Sequence, residues 1–310
     1  MEYRKLGCTD LRVSILGFGA ATLGNVYGIT EPSEGERAVH FAIENGINFF
    51  DSSPYYGLTL SEERLGEALV GWRDKVVLAT KCGRYGLDGF DFSAARVTAS
   101  IDESLRRLRT EHVDLLQAHD VEFGGVDQII HETVPAMRKI QEQGKARYIG
   151  ITGYPLKTLA RIAEAVPVDT ILSYSRYNLM ITDMDDGLTP FAKQHGIGLI
   201  NAAALHMGIL TPGGPPAWHP GPPVVHQAGR KVVDLCRKRG VDIAEVAIRF
   251  CLDHSYVSST LVGIRSEEQV KANLKLLQVQ TDPVLVEEIR SLLGPTFNYV
   301  WPLGRPENHG

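Results

Sequence analysis

The chain predicts an α/β fold, a closed (β/α)₈ barrel of the TIM type, and three observations carry that reading. Eight short apolar runs, rich in β-branched and aromatic residues, recur along its 310 residues, and most are followed by a stretch of helical period. The runs are continuous rather than alternating, as strands covered on both faces require. A doubly wound open sheet is the alternative, but the first strand-to-helix turn, Gly17-Phe18-Gly19-Ala20-Ala21-Thr22, lacks the third glycine of a dinucleotide fingerprint.

The expected strands fall at 13–19, 47–51, 76–81, 113–119, 147–151, 170–173, 198–201 and 259–263. Between them, apolar residues at spacings of three and four predict helices over 34–44, 93–108, 133–143, 156–165, 184–195 and 266–277. Ser33 is placed to open the first helix and Gly46 to follow its end, while Ser266 with Gln269 forms a capping-box pattern. Residues 211–223 hold six prolines and three glycines, too few donors for a helix or inner strand, so this segment reads as a loop over the carboxyl end of the seventh strand. Two further helices, 224–239 and 243–253, precede the eighth strand, and 283–293 closes the pattern before an extended tail.

Length and composition fit one domain spanning 1–310. Hydrophobic residues at 44%, charged residues at 22% and 31 glycines are ordinary globular values, and barrels of this kind commonly exceed 250 residues. A net charge of −5 and a pI near 6.1 argue against a nucleic-acid partner. Without a signal-like start or an apolar stretch of about 18 residues, a cytoplasmic protein with no membrane contact is expected, as monomer or weak homo-oligomer. Cys8, Cys82, Cys236 and Cys251 make no C-x-x-C pair, so no metal site or disulfide is expected; Cys82, beside Lys81, reads as a small buried hydrophobe.

Side chains just past the carboxyl ends of barrel strands converge on one mouth, so position in sequence becomes proximity in space. Asp51 ends the second strand, Tyr56 lies five residues on, Lys81 ends the third and His119 the fourth. Singly, each has an ordinary structural explanation as turn former, packing residue, solvated charge or satisfied histidine. Together they suit proton transfer coupled to hydride transfer. A tyrosine near pKa 10 needs a neighbouring cation to act at neutral pH. Lys81 supplies it, Asp51 holds the ammonium, and His119 bonds the reacting oxygen.

Asp51-x-x-x-x-Tyr56, Ala79-Thr80-Lys81 and Gln117-Ala118-His119-Asp120 resemble the catalytic tetrad of the aldo-keto reductase superfamily, and the likeness spans nearly the whole chain. Its loops Asp51-Ser52-Ser53-Pro54-Tyr55-Tyr56-Gly57, Lys81-Cys82-Gly83-Arg84-Tyr85, His119-Asp120-Val121-Glu122-Phe123-Gly124 and Gly214-Pro215-Pro216-Ala217-Trp218-His219-Pro220 are similar to those of sugar-oxidising members. The resemblance implies Tyr56 as acid in reduction and base in oxidation, and a nicotinamide cofactor lying across the mouth. Matching cofactor positions are Gly19, Ala20, Asp51, Thr152, Tyr174, Ala203, Leu205, Gly208, Gly263, Arg265, Gln269 and Asn273, with the helix start at Ser266 near the phosphates.

Three positions depart from the broad family pattern. Thr152-Gly153 replaces a common Ser-Asn pair, Tyr174 replaces Gln, and Ala202 stands where an aromatic residue often stacks on the nicotinamide. The implied activity is oxidation of C1 of an L-galactose-like aldose to a lactone, with Tyr56, His119, Asp120, Arg84 and Trp218 facing the sugar. NAD is expected over NADP, with dual use as the alternative. Around the eighth strand stand one cation, Arg265, and two carboxylates, Glu267 and Glu268, and Gly263 and Gln269 replace the Lys and Arg common in NADP-dependent members. An NADPH-dependent reductase of small aldehydes or ketones and a catalytically silent interaction subunit are the competing readings.

Overall fold

A computed structural model describes residues 1–309. Ahead of the barrel, β1 (Tyr3–Lys5) and β2 (Arg12–Ser14) pair as an antiparallel hairpin. The expected first strand, 13–19, is therefore two elements. Asn48 explains the break: its side chain accepts from Ser14 N–H at 2.7 Å and donates to the Arg12 carbonyl at 2.8 Å, taking backbone groups that a barrel strand would have shared.

The barrel itself comprises β3 (Leu16–Gly19), β4 (Phe49–Asp51), β5 (Val77–Cys82), β6 (Val113–Ala118), β7 (Ala146–Gly153), β8 (Thr170–Tyr174), β9 (Gly198–Ala202) and β10 (Ser259–Gly263). All neighbours are parallel, and β10 returns to pair with β3, so the sheet closes without an edge. Eight strands were expected and eight form, each within a few residues of its predicted limits.

Two cores follow from this closure. Inside, Phe49, Val77, Ala79, Leu115, Leu172, Ile200 and Leu261 are joined by Leu6, Leu11 and Val13 of the hairpin, which plugs the amino-terminal end. Outside, the helices bury their apolar faces on the strands: α1 (Pro32–Glu44), α2 (Leu60–Ala68), α3 (Ala94–Arg107), the single turn α4 (Val126–Gln128), α5 (Val134–Glu142), α6 (Leu156–Ala165), α7 (Leu188–His195), α8 (Pro223–Lys238), α9 (Ile243–Leu252), α10 (Glu267–Lys275) and α11 (Pro283–Leu293).

Several local expectations are corrected. Ser33 does not cap α1, which starts at Pro32 after an extended Glu31 with no side-chain cap. Proline at the first helical position makes the cap less necessary, having no N–H to satisfy. Helix 184–195 is interrupted at Gly187, leaving a 3₁₀ turn at Asp183–Asp186 before α7. Helix α2 was not anticipated. Its Gly66 weakens the helical signal but lets α3 approach so closely that a Cβ there would lie 2.2 Å from the Arg107 carbonyl oxygen. Cys8 is exposed, while Cys82 is buried as expected and its thiol is pushed up to about 12 by burial.

At α10 the capping box is modified: Ser266 Oγ accepts from Gln269 N–H, but the Gln269 side chain accepts from Arg265 N–H at 2.9 Å instead of returning to Ser266. Residues 211–223 form turns and bends up to Pro223, where α8 begins. Among the described residues no helix is long and apolar enough to cross a membrane.

Candidate active site

The four tetrad residues meet at the carboxyl end of the barrel. Asp51 is the last residue of β4 and Lys81 lies one residue from the end of β5, so parallel register sets their side chains toward each other. Lys81 Nζ donates to Asp51 Oδ2 at 2.5 Å and to the Ser52 carbonyl at 2.8 Å, and Gln117 Nε2 holds the other Asp51 oxygen at 2.8 Å. Burial pushes the Asp51 carboxyl up, but these donors on both oxygens favour the carboxylate. The ammonium sits 4.8 Å from the centre of the Tyr56 ring.

Tyr56 and His119 meet edge to face, centroids 5.6 Å apart at 89°. His119 Nδ1 lies 3.0 Å from Ser53 Oγ, which also accepts from Tyr55 N–H at 3.1 Å. The Ser53 hydroxyl can donate to Nδ1, and an imidazole proton on Nε2 then faces Asp120 Oδ1 at 3.7 Å. Burial, then Lys81 and Arg84, hold His119 well below its usual range, so the ring is neutral. Tyr56 goes the other way. Burial foremost, then the Asp51 and Asp120 charges, raise its phenol well above 10, against the pull of Arg84. Lys81 stays paired with Asp51 beneath the ring, where it offsets the Asp51 charge.

Beside this group lies a second charged pair. Arg84 Nη1 meets Asp120 Oδ2 at 2.5 Å, and the guanidinium stacks 3.7 Å above the Tyr55 ring with Phe90 and Phe123 behind it. Arg84 Nε is buried without a partner. Asp120 has left-handed backbone, φ 52°, a strained choice for a residue other than glycine. Trp218 is 52% exposed and packs against Tyr27 at 5.7 Å, on the rim rather than inside.

Tyr27 and Glu122 are the residues sequence reading missed. Tyr27 is 39% exposed as a residue and its ring packs against Trp218, while burial of its hydroxyl first, then Tyr56 and Tyr55, raise its phenol. No strand end or motif flags it, since it lies in an irregular loop. That loop is seated by two glycines in backbone contact: a Cβ on Gly57 would be 2.2 Å from the Gly24 carbonyl oxygen, and one on Gly24 2.6 Å from that of Tyr56.

The positions matched to cofactor binding ring the rest of the mouth. Gly19 and Gly263 pair in register, so no side chain rises from either strand end there, and α10 starts beside them with Ser266 as its cap. Ala20 lies in the turn after β3. Ala203 (φ 61°), Ser175 (φ 53°) and Met207 (φ 50°) are left-handed, with Leu205 and Gly208 in the same turn. The hydroxyls of Ser173 and Ser175 are buried without partners at the end of β8. A bare glycine cradle, a helix start and unpartnered hydroxyls fit a dinucleotide with its phosphates at α10. Asn273 is buried on α10, and Arg265 donates to the Tyr27 carbonyl at 3.2 Å. Thr152 has its hydroxyl occupied by Asp120 N–H at 2.9 Å, and Tyr174 donates to Glu122 at 2.8 Å. Among the described residues no group of three or more His, Cys, Asp or Glu is placed to hold a metal ion.

The family described as the aldo/keto reductase family matches residues 15–293. L-galactose dehydrogenase of Arabidopsis thaliana is 44% identical over 318 aligned residues, covering 99% of both chains. D-threo-aldose 1-dehydrogenase of a Pseudomonas species is 28% identical, over 90% of this chain and 94% of its own. Among solved structures, the holo form of an aldo-keto reductase from Bacillus halodurans superposes with a TM-score of 0.79 at 27% identity, covering 97% of this chain and 98% of that one. Matched in sequence from Ile15 to Leu293 and in fold from end to end, the chain belongs to the aldo/keto reductase family of nicotinamide-dependent oxidoreductases.

Proposed function

We propose that this enzyme is an aldose 1-dehydrogenase that oxidises the anomeric hydroxyl of L-galactose or a related aldose, such as L-fucose or D-arabinose, to the lactone. The Arg84–Asp120 pair carries this reading. It sets a donor fork and a carboxylate beside His119, with one buried guanidinium N–H unspent. A polyhydroxylated ring can use such groups, whereas a simple aldehyde leaves them unpaired at a cost of about 1–3 kcal/mol each. The names of the two sugar dehydrogenases similar to this chain support the same substrate class.

Tyr56 takes the hydroxyl proton of C1 as the C1–H bond breaks and the carbonyl forms. Neutral His119 orients the reacting oxygen through Nε2–H, and Asp51 keeps Lys81 under the Tyr56 ring. A nicotinamide cofactor held across the Gly19–Gly263 cradle and the start of α10 would supply the hydride acceptor. Arg84, Asp120 and Trp218 hold the remaining hydroxyls and one face of the sugar.

The reading prefers NAD to NADP. Arg265 spends a guanidinium N–H on Tyr27, the Gln269 side chain is taken by Arg265 N–H, and Glu267 and Glu268 would repel a 2′-phosphate. Aldoses assayed with NAD and NADP at 340 nm test both parts. L-Galactose with NAD is expected to give the highest kcat/KM. Reduction of small aldehydes with NADPH and no sugar oxidation would replace the reading with a carbonyl reductase, cofactor binding with no turnover would make the chain a silent subunit, and a tenfold preference for NADP would make Arg265 a phosphate clamp.

A further inference from the structure

Glu122 takes no part in the proton transfer just described, yet it is fully buried where three segments meet. Its Oε1 accepts from the Tyr174 hydroxyl at 2.8 Å and from Tyr154 N–H at 3.1 Å. Its backbone carbonyl accepts from Arg305 N–H at 2.9 Å and Asn308 Nδ2 at 2.8 Å. Two glycines permit this enclosure. A Cβ on Gly153 would lie 2.6 Å from Oε2, and one on Gly304, itself at φ 86°, 2.5 Å from the Glu122 carbonyl oxygen. The moored tail includes Trp301, stacked on Tyr154 at 5.0 Å.

We infer that Glu122 is a positioning residue for the mouth, its carboxyl fixing Tyr174 and the 153–154 turn while its carbonyl moors the C-terminal tail. The inference rests on the proposed function only in giving Tyr174 to the cofactor side.

The carboxyl does this as an uncharged acid. Oε2 has no hydrogen-bond partner, so an ionised group would leave a buried charge half satisfied. As a neutral acid its carbonyl oxygen takes both bonds and the proton rests on Oε2. The groups around it agree. Asp120, two residues back, is a like charge, and Arg84 is spent on Asp120. Tyr174 and Tyr154 bring no charge, Arg176 is paired with Asp183 beyond Tyr154, and Arg305 presents its backbone while its side chain lies by Glu307. Burial first and Asp120 second push the Glu122 carboxyl up to about 8. The sign follows. With the folded pKa above the unfolded one, the stabilisation is fully present below the usual carboxylate range and is lost as pH rises to about 8.

The test compares Glu122→Gln with Glu122→Ala in the full chain, reading melting temperature from pH 5 to 9, NADH affinity by fluorescence titration, and chymotryptic cleavage of the tail. Glutamine keeps an acceptor and carries no charge, so E122Q is expected to bind NADH within about threefold of wild type and to flatten the fall in melting temperature. E122A is expected to lose about tenfold in NADH affinity and to expose the tail to chymotrypsin at Tyr299. Should E122A fail to fold, Tyr174→Phe, which removes only the donor to Oε1, is expected to weaken NADH binding by about threefold. A melting profile of E122Q that parallels wild type, NADH binding in E122Q as poor as in E122A, or Y174F binding NADH as tightly as wild type would overturn the inference. None of these readings needs sugar turnover, so failure of the substrate assignment is a separate result.

Discussion

Asp114 and Glu122 are both buried carboxyls on the same strand-and-loop segment, one at each end of the barrel, and their surroundings are opposite. Asp114, second residue of β6, receives Arg73 at 2.9 Å, Arg147 at 2.8 Å and Leu78 N–H at 2.9 Å, so both oxygens are satisfied. Glu122, past the other end, has one oxygen without a partner. Backbone tells the same story: Leu58, Thr59, Asp120, Ser175, Ala203, His206 and Met207, all beyond carboxyl ends of strands, have φ between 50° and 86°. The closed end is plugged by the hairpin and has Arg109 at φ 53°, but left-handed backbone gathers at the mouth. Unpartnered hydroxyls stand at both ends, Ser173 and Ser175 at the mouth and Thr170, Ser259 and Thr260 at the closed end. A barrel can keep such a mouth because the other end supplies the stability.

Substitutions at the two ends should therefore separate activity from stability. Tyr56→Phe is expected to cost turnover about 10²–10⁴-fold while melting temperature and NADH affinity stay near wild type. A variant retaining half the wild-type kcat would remove Tyr56 from the proton transfer. With the Tyr56 phenol held well above 10, the base form grows tenfold per pH unit, so kcat/KM for sugar oxidation should climb steadily between pH 6 and 9. Lys81→Met should slow the reaction and move that climb upward; an unchanged profile would deny Lys81 its electrostatic role.

At the closed end, Leu6→Ala opens a cavity in the inner core and is expected to destabilise by about 3 kcal/mol, read by urea unfolding, with KM and kcat within twofold. A loss of activity in the folded protein would mean that the ends are coupled. Smallest is Trp218→Ala: the ring is half-exposed on the rim, so about a threefold rise in sugar KM with unchanged kcat is expected. A large fall in kcat would place Trp218 deeper in the chemistry than its exposure implies.

Barrel and tetrad were legible because both depend on short-range pattern. Apolar runs mark strands, and strand ends map onto the mouth, so Asp51, Lys81 and His119 could be brought together before any coordinates. The hairpin was not legible, since only the side chain of Asn48, some thirty residues away, separates Ser14 from Leu16. Nor was Glu122, whose surroundings are completed by Gly304, Arg305 and Asn308 at the far end of the chain. The net rise of the Tyr56 phenol was not legible for a related reason: the cation and its Asp51 partner follow from strand ends, but the depth of burial that outweighs them depends on the loops closed around the ring.

The pairing of Thr260 with Leu16 that shuts the barrel also sets an order in time. At about 5–20 residues per second, the ribosome needs on the order of 10–50 s after making β3 to produce its second neighbour. Through that interval β3 has β4 on one side and an open flank on the other, a ready template for a stray strand, which the wait for β10 leaves to chaperones. Gly19 and Gly263, the facing floor of the expected cofactor cradle, are joined by that same last event. Cofactor affinity should thus arise abruptly near the end of synthesis, and a nascent chain halted before residue 259 should bind no NADH however much of its helical ring has formed.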